Sequence, residues 1–298
     1  MFKNSRKAYQ IYRKLTDEEK EILERRKVSG KHSIREWNRK LSHLAVMDSY
    51  ADKARGGLKT MLILSVFLTF FVSIFMLNAP VFFLILVLVI GVSIFLTALF
   101  FYGKLRHIDV GNQLRYFVIP TLKLLNRKVR KSHKVELDIN LSLPNDEQYM
   151  VDEQIDNQPE DKRFKKVTNI YYRVPWLQAK VPLADGSLLI WENEDLVRER
   201  KVVKYRKNKR KTKYKVKHQV KLKLMLPKSR YRLQEERHEA IQVEEISKFY
   251  VLSLKGKEQT AHNPIVQNDE FKSMNPKYFT GLLIQAYDQI EPAAPQTT

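Results

Sequence analysis

The residues whose spacing stands out most are lysines. Lys207, Lys209, Lys211, Lys213, Lys215, Lys217, Lys221 and Lys223 all fall on odd positions, while Thr212, Tyr214, Val216, Val220, Leu222, Leu224 and Leu226 fill even ones. Successive side chains of a strand point to opposite faces, so the alternation lays ammonium groups about 6.6 Å apart on one face and an apolar row on the other. Such a row attracts phosphate or carboxylate. Lysine in place of arginine favours diffuse attraction over bidentate reading of bases. Arg198, Arg200, Lys201, Lys204 and Arg206 precede the row, and a hairpin turning near Lys207-Asn208-Lys209 gathers both sets into one basic ribbon. Its counterpart could be anionic lipid headgroups, nucleic acid or an acidic protein. A solvated face whose lysines guard an exposed sheet edge needs no counterpart. Tyr205, Tyr214 and Tyr231 could stack on bases, although no RNP-like aromatic motif accompanies them.

Catalytic spacings are missing. The nine glycines build neither G-x-x-x-x-G-K-[ST] nor G-x-G-x-x-G, so no phosphate cradle of those types is encoded. The seven histidines are scattered; His238-Glu239 lacks the second histidine of H-E-x-x-H. No G-x-S-x-G elbow occurs, and the pairs Asp152/Glu153 and Glu244/Glu245 lie in polar stretches. With no cysteine, disulfide scaffolds, thiolate metal sites and cysteine nucleophiles are excluded. The expectation is a protein that is not an enzyme, with no cofactor and no metal.

What must position the lysine row is a chain of two compositions. Residues 60–102 are almost wholly apolar, whereas the rest carries a net charge of +21. That charge is uneven: residues 1–133 hold +15, 134–197 hold −6, 198–232 hold +16 and 233–298 hold −4. Thr60 to Leu77 and Val81 to Tyr102 are free of charge, each close to the roughly 20 residues that span a bilayer. Asn78, Ala79 and Pro80 separate them, and Pro80 cannot continue a helix begun upstream. The pattern predicts a two-span transmembrane hairpin. Lys53, Arg55 and Lys59 precede the first span and Lys104 and Arg106 follow the second, which places both termini in the cytoplasm. The polar N-terminus has no h-region, so no cleaved signal is expected. Ser65, Thr69 and Ser73 share one face of the first span, and Gly91, Ser93 and Thr97 give the second a small-residue region. These are candidates for helix packing within the hairpin or between copies, with a pore lining as the other reading. Neither span carries an ionisable residue, which speaks against a selective ion path.

Thr16 with Glu19 and Ser33 with Glu36 read as capping boxes, starting one helix that ends near Lys27 and another striped by Ile34, Trp37, Leu41 and Leu44. Two short basic helices about a glycine-containing turn also invite a helix-turn-helix reading, without an identifiable base-reading set. After the spans, Leu114, Phe117, Val118, Leu122, Leu125 and Val129 mark an amphipathic segment in which Pro120 predicts a kink or fresh start. Its basic residues Arg115, Lys123, Arg127, Lys128, Arg130 and Lys131 suit an anionic membrane surface, each contributing about 1 kcal/mol there. The alternative is a helix that packs on the following domain.

Past His133 the period changes to two. Val135, Leu137, Ile139, Leu141 and Leu143 alternate with polar residues, predicting a half-buried strand. Residues 144–161 read as a loop. Further strands are expected at 166–173, 176–183, 187–193, 196–206, 211–226 and 247–254, with Asp185-Gly186 as a hairpin turn and a short helix near 276–290. The fold class is thus membrane α plus cytoplasmic β, and the β domain is mostly antiparallel, a sandwich or open barrel. The expected organisation is a basic helical arm at 1–58, a transmembrane hairpin at 59–102 and a juxtamembrane helix at 103–133. A β-rich domain at 134–290 and a disordered tail at 291–298 complete it.

The order of helix, two spans, helix and cytoplasmic domain over residues 33–130 is similar to that of two-span effectors in bacterial conflict systems, a likeness of layout carried by no motif. Three functions are expected from these features. The first is a scaffold or recruitment subunit that holds the basic β domain at the membrane, with the lipid bilayer, anionic headgroups, and a protein partner or self-association as its contacts. The others are an oligomeric pore-forming or membrane-disrupting effector, and a membrane tether for DNA or RNA.

Overall fold

The computed structural model describes residues 2–75, 80–205, 209–235, 238–262 and 271–293. In chain order the elements are α1 (Phe2–Lys14), α2 (Asp17–Arg25), β1 (Lys27–His32), α3 (Ile34–Phe75), α4 (Val81–His107), α5 (Ile119–Leu125) and β2 (Val135–Asn140). There follow β3 (Met150–Asp156), β4 (Phe164–Pro182), β5 (Leu188–Lys204), β6 (Arg210–Pro227), β7 (Tyr231–Leu233), β8 (Gln242–Ile246), β9 (Phe249–His262), α6 (Pro276–Tyr287) and β10 (Ile290–Pro292). By contacts the chain divides into two compact units, residues 1–25 with 42–110, and residues 26–41 with 111–298.

The first unit is helical. Both capping boxes form: the Thr16 amide donates to Glu19 Oε2 at 2.9 Å while the Glu19 amide donates to Thr16 Oγ1, and Ser33 and Glu36 repeat the exchange at the start of α3. α3 and α4 are each long and apolar enough to cross a membrane, and only 11% of either apolar window is buried. Their leucines, isoleucines and phenylalanines are therefore not spent on a water-soluble core, which is where such runs otherwise go. Asn78 and Ala79, read as the turn, lie outside the described residues.

The second unit is built on one antiparallel sheet in the order β1-β2-β4-β5-β6-β9-β8, with β3 added beside β2 along the same edge of β4. Its path ends at β1 and β8, and β7 with β10 makes a separate two-stranded piece. The expected strand Val135–Leu143 is seen as β2. The expected pairs 166–173 with 176–183, and 187–193 with 196–206, are single long strands, β4 and β5. Pro175 does not end β4, because a register shift between Pro175 and Leu177 takes up the missing donor. Gly186, at φ +83°, and the Asp185 carboxylate, which accepts from the Ser187 amide at 2.9 Å, close the β4–β5 hairpin as expected.

Several expectations need correction. Lys27–His32, expected as the end of a helix and a turn, is a strand paired with β2 from Lys27↔Asn140 to His32↔Val135, which removes the helix-turn-helix reading. Residues 150–156, expected as loop, form β3, and 242–246 form β8. Glu291 and Pro292, expected to begin a disordered tail, pair with β7; residues 294–298 lie outside the described residues.

One sheet face carries the core of this unit. Phe117 meets Trp176 and Phe279 edge-on at centroid distances of 5.4 and 6.0 Å, and Trp191 meets Phe279 of α6 at 5.1 Å with the rings tilted. Trp37 is fully buried and donates its indole N–H to the Val135 carbonyl at 2.9 Å. α6 lies so close to β9 that a Cβ on Gly256 would come within 2.6 Å of Leu282 and 2.8 Å of Tyr278. Glycine is required there by the approach of the helix.

Candidate anionic-partner surface

β6 is eighteen residues long, and from Val216 onward its even positions are buried. Val216, Val220, Leu222, Leu224 and Leu226 are buried, and Lys213, Lys215, Lys217, Lys221 and Lys223 are exposed on the opposite face. Lys209 is exposed just before the strand, Lys211 is half-buried, and Lys207 lies outside the described residues. β6 pairs with β5 on one side and, from Tyr214 onward, with β9 on the other, so Lys215, Lys217, Lys221 and Lys223 sit in the interior of the sheet and guard no edge. That corrects the edge-protection reading for these four.

The register brings further cations onto the same face. Arg198 stands directly opposite Lys215, and Arg200 opposite Lys213. Like charges facing each other across an antiparallel pair destabilise it. Farther along, carboxylates relieve the crowding: Glu192 lies 3.8 Å from Lys221, and Glu194 pairs with Arg173. Among the described residues no carboxylate pairs with Arg198, Lys213, Lys215 or Lys217. The face is thus graded, neutralised at one end of β5–β6 and purely cationic at the other.

The aromatic candidates fare differently. Tyr205 is exposed. Tyr214 lies on the inward face and donates its hydroxyl to Glu199 Oε1 at 2.9 Å, beside Tyr172, which donates to Glu199 Oε2 at 2.9 Å. Burial, reinforced by that carboxylate, raises both phenols above their ordinary range. Tyr231 donates to Asp185 at 2.6 Å. Only one of the three tyrosines is therefore presented for stacking on a base.

Comparison with protein-family models, with curated proteins and with solved structures gave no match.

The inward face holds a polar pair that scanning for histidine spacing along the sequence overlooks. Asp195 and His218 stand directly opposite in the β5–β6 register, and His218 Nδ1 lies 2.7 Å from Asp195 Oδ1. The Trp176 indole donates to that same oxygen at 3.0 Å, and Thr260 Oγ1 lies 3.3 Å from His218 Nε2. Both members are almost wholly inaccessible. Burial pulls the imidazole down, but the Asp195 hydrogen bond and charge, helped by Glu258, hold its pKa above the ordinary histidine value. The signal was available, because His218 falls on the inward parity of the lysine row.

On the apolar helices the packing candidates divide. Ser65, Thr69, Ser73 and Gly91 are half-buried, whereas Ser93 and Thr97 are exposed and donate to carbonyls of their own helix, Val89 and Ser93. Thr69 and Gly91 meet directly, since a Cβ on Gly91 would overlap the Thr69 side chain. Gly91→Leu is expected to force the helices apart at a cost of about 1–3 kcal/mol, the scale of overpacking a close contact. Detergent-denaturation midpoints of the full chain measure this, and an unchanged midpoint would refute the contact.

At the foot of these helices Arg55 bridges two carboxylates, Asp52 at 2.5 Å and Asp109 at 2.5 and 2.8 Å, while Asp48 Oδ1 accepts from the Val110 amide at 3.0 Å. Ligand oxygens of Asp48, Asp52 and Asp109 lie within 4.8 Å of one another, with the guanidinium bonded to two of them. Burial pushes the Asp109 carboxyl up against the pull of Arg55, and the carboxylates in turn hold the guanidinium firmly protonated.

The segment after α4 is resolved in favour of packing. Leu114, Phe117, Val118, Leu122 and Leu125 are buried in the second unit, so this apolar stripe belongs to a protein core. Pro120 does open a fresh helix, α5, after a π-helical turn at 114–118. Lys123, Arg127, Lys128, Arg130 and Lys131 are exposed, whereas Arg115 is half-buried, bonded to Asn112 and stacked over Tyr116 at 4.7 Å.

Proposed function

We propose that this chain is a non-enzymatic, membrane-anchored scaffold or recruitment subunit. Its apolar hairpin crosses the bilayer with both ends on the cytoplasmic side. The sheet then presents a basic face at the membrane, within a homo- or hetero-oligomeric complex. One observation carries the reading. Two helices with largely exposed apolar surface are continuous in sequence with a sheet on whose central strands Arg198, Lys213, Lys215 and Lys217 have no carboxylate partner among the described residues. A lipid phase covers the first surface, and an anionic counterpart covers the second.

The test is purification of the full chain in mild detergent, followed by mass analysis of whatever elutes with it. A defined assembly or a stable protein partner is expected. A monomer that elutes with neither partner nor lipid would remove the reading. The effector alternative is favoured by Ser93 and Thr97, whose exposed positions leave the second helix a polar side on which copies could associate. It requires that expression depolarise cells and that Leu at Ser65, Thr69 and Ser73 alter the effect. An unchanged membrane potential excludes it.

A further inference from the structure

We propose that the cationic end of the outer sheet face, centred on Arg198, Lys213, Lys215 and Lys217, docks flat on the phosphodiester headgroups of anionic membrane lipid. The inference rests on the reading of the hairpin as a membrane anchor and adds to it the surface that touches the bilayer and the lipid chemistry it selects.

Charge complementarity is the first argument. Arg198 and Lys215, and Arg200 and Lys213, are cross-strand neighbours, which places four cations on two adjacent strands with side chains about 5 Å apart across the pair and about 7 Å apart along it. Each must be solvated or matched by an anion. A carboxylate supplies the match for Lys221 and Arg173 but for none of Arg198, Lys213 and Lys215 among the described residues. The missing counter-ions are therefore external, and they must be arrayed in a plane, because the cations are. A leaflet rich in anionic headgroups is such an array.

Lipid and nucleic acid ask different things of a basic face. Single-stranded nucleic acid is held by basic grooves that also offer aromatic platforms for stacking. Tyr171, opposite Arg198 on β4, is half-buried with its hydroxyl toward Gln154, Phe164 lies under Arg200, and Tyr214 and Tyr231 are committed to Glu199 and Asp185, so no aromatic among the described residues of this face stands free as a platform. The five exposed comb residues are all lysines, which read no base edge bidentately, and of the two arginines beside them Arg200 is stacked over Phe164 at 5.7 Å. Covalent continuity adds the third argument. The sheet unit resumes at Gly111, only a few residues after α4 ends at His107, so a short tether keeps its effective concentration at the membrane high.

The test is acylation footprinting of the full chain in nanodiscs by a water-soluble amine reagent, read residue by residue by mass spectrometry. One preparation uses phosphatidylcholine alone, and the other replaces one lipid in three with phosphatidylglycerol. Each basic residue near an anionic surface shifts the docking equilibrium about fivefold. Lys213, Lys215 and Lys217 are expected to react several-fold more slowly in the anionic discs, and high salt should abolish the difference. Lys165, which is exposed on β4 and serves as the control, should not change. A variant, Lys213→Gln with Lys215→Gln, should restore fast reaction of Lys217 in anionic discs while leaving solubility unchanged.

Equal reactivity in the two lipids overturns the proposal. So does protection that appears in neutral discs on adding single-stranded DNA or a co-purified protein but never with anionic lipid. Failure of the chain to enter nanodiscs at all would instead overturn the membrane-anchor reading, so the two failures are distinguishable.

Discussion

Arg55→Met is expected to destabilise the helical unit by about 3–5 kcal/mol, because removing one partner of a buried ion pair leaves the other charges uncompensated. Three carboxylates, Asp48, Asp52 and Asp109, converge on the foot of the apolar helices, and the Arg55 guanidinium answers two of them. Without it, two partly buried acids face each other across α3 and the turn after α4. Proton uptake would relieve part of the cost, so the variant should recover stability as pH falls toward the raised pKa of Asp109. The measurement is loss of helical signal of the full chain in detergent as denaturant increases. Adding Asp52→Asn and Asp109→Asn should return much of the loss, giving a coupling free energy by double-mutant cycle. A variant as stable as the parent would show that the bridge is not formed.

Asp195→Leu is the second substitution with a large expected effect. It strips His218 Nδ1 and the Trp176 indole of their shared acceptor inside the sheet, a loss of about 3–5 kcal/mol by the same physics. The pair also sets a pH dependence of definite sign. The folded pKa of His218 is raised above its unfolded value near 6.5. Its protonation therefore contributes stability that is fully present below about pH 6.5 and is lost as pH rises through the folded pKa. Hydrogen exchange of the β5 and β6 amides should quicken with pH over that window beyond its chemical trend. In Asp195→Asn, which keeps the shape and removes the charge, that extra dependence should shrink. A slope unchanged by the substitution would mean that the imidazole titrates elsewhere.

What could be read from the chain depended on whether the cause was local. The capping boxes at Thr16 and Ser33, the Asp185-Gly186 turn and the alternation along β6 each lie within a few residues, and each is seen where the spacing put it. The two apolar helices follow from composition alone. β1 was not legible, because Lys-Val-Ser-Gly-Lys-His has no alternation of its own and becomes a strand only by pairing with β2, more than a hundred residues on. β3 was missed for a related reason. Three of its seven residues are acidic and all seven are exposed, so neither face shows a regular apolar period, and its pairing with β4 supplies the order. Pro175 misled in the opposite direction, dividing a strand that a register shift keeps whole.

The candidate surface was half legible. The row of lysines on β6 was evident, but its place in the middle of the sheet, opposite Arg198 and Arg200, depends on strand order that no local pattern encodes. That placement removes edge protection as the reason for Lys215, Lys217, Lys221 and Lys223. The apolar stripe from Leu114 to Leu125 shows the limit of periodicity. A helix that lies on a bilayer and one that lies on a protein core have the same pattern, and only the contacts with Trp176 and Phe279 distinguish them.

The central claim is that a hairpin holds the basic sheet on the cytoplasmic side of a membrane, and the absence of cysteine makes it directly measurable. Single cysteines would be placed at Asn78, between the apolar runs, at Ser132, and at Lys215 on the sheet face, then probed in intact cells with a membrane-impermeant maleimide. The account predicts that Asn78→Cys is labelled from outside, and that Ser132→Cys and Lys215→Cys are labelled only after the membrane is permeabilised. Labelling of Lys215→Cys in intact cells, or release of the whole chain from membranes by alkaline carbonate, would contradict it.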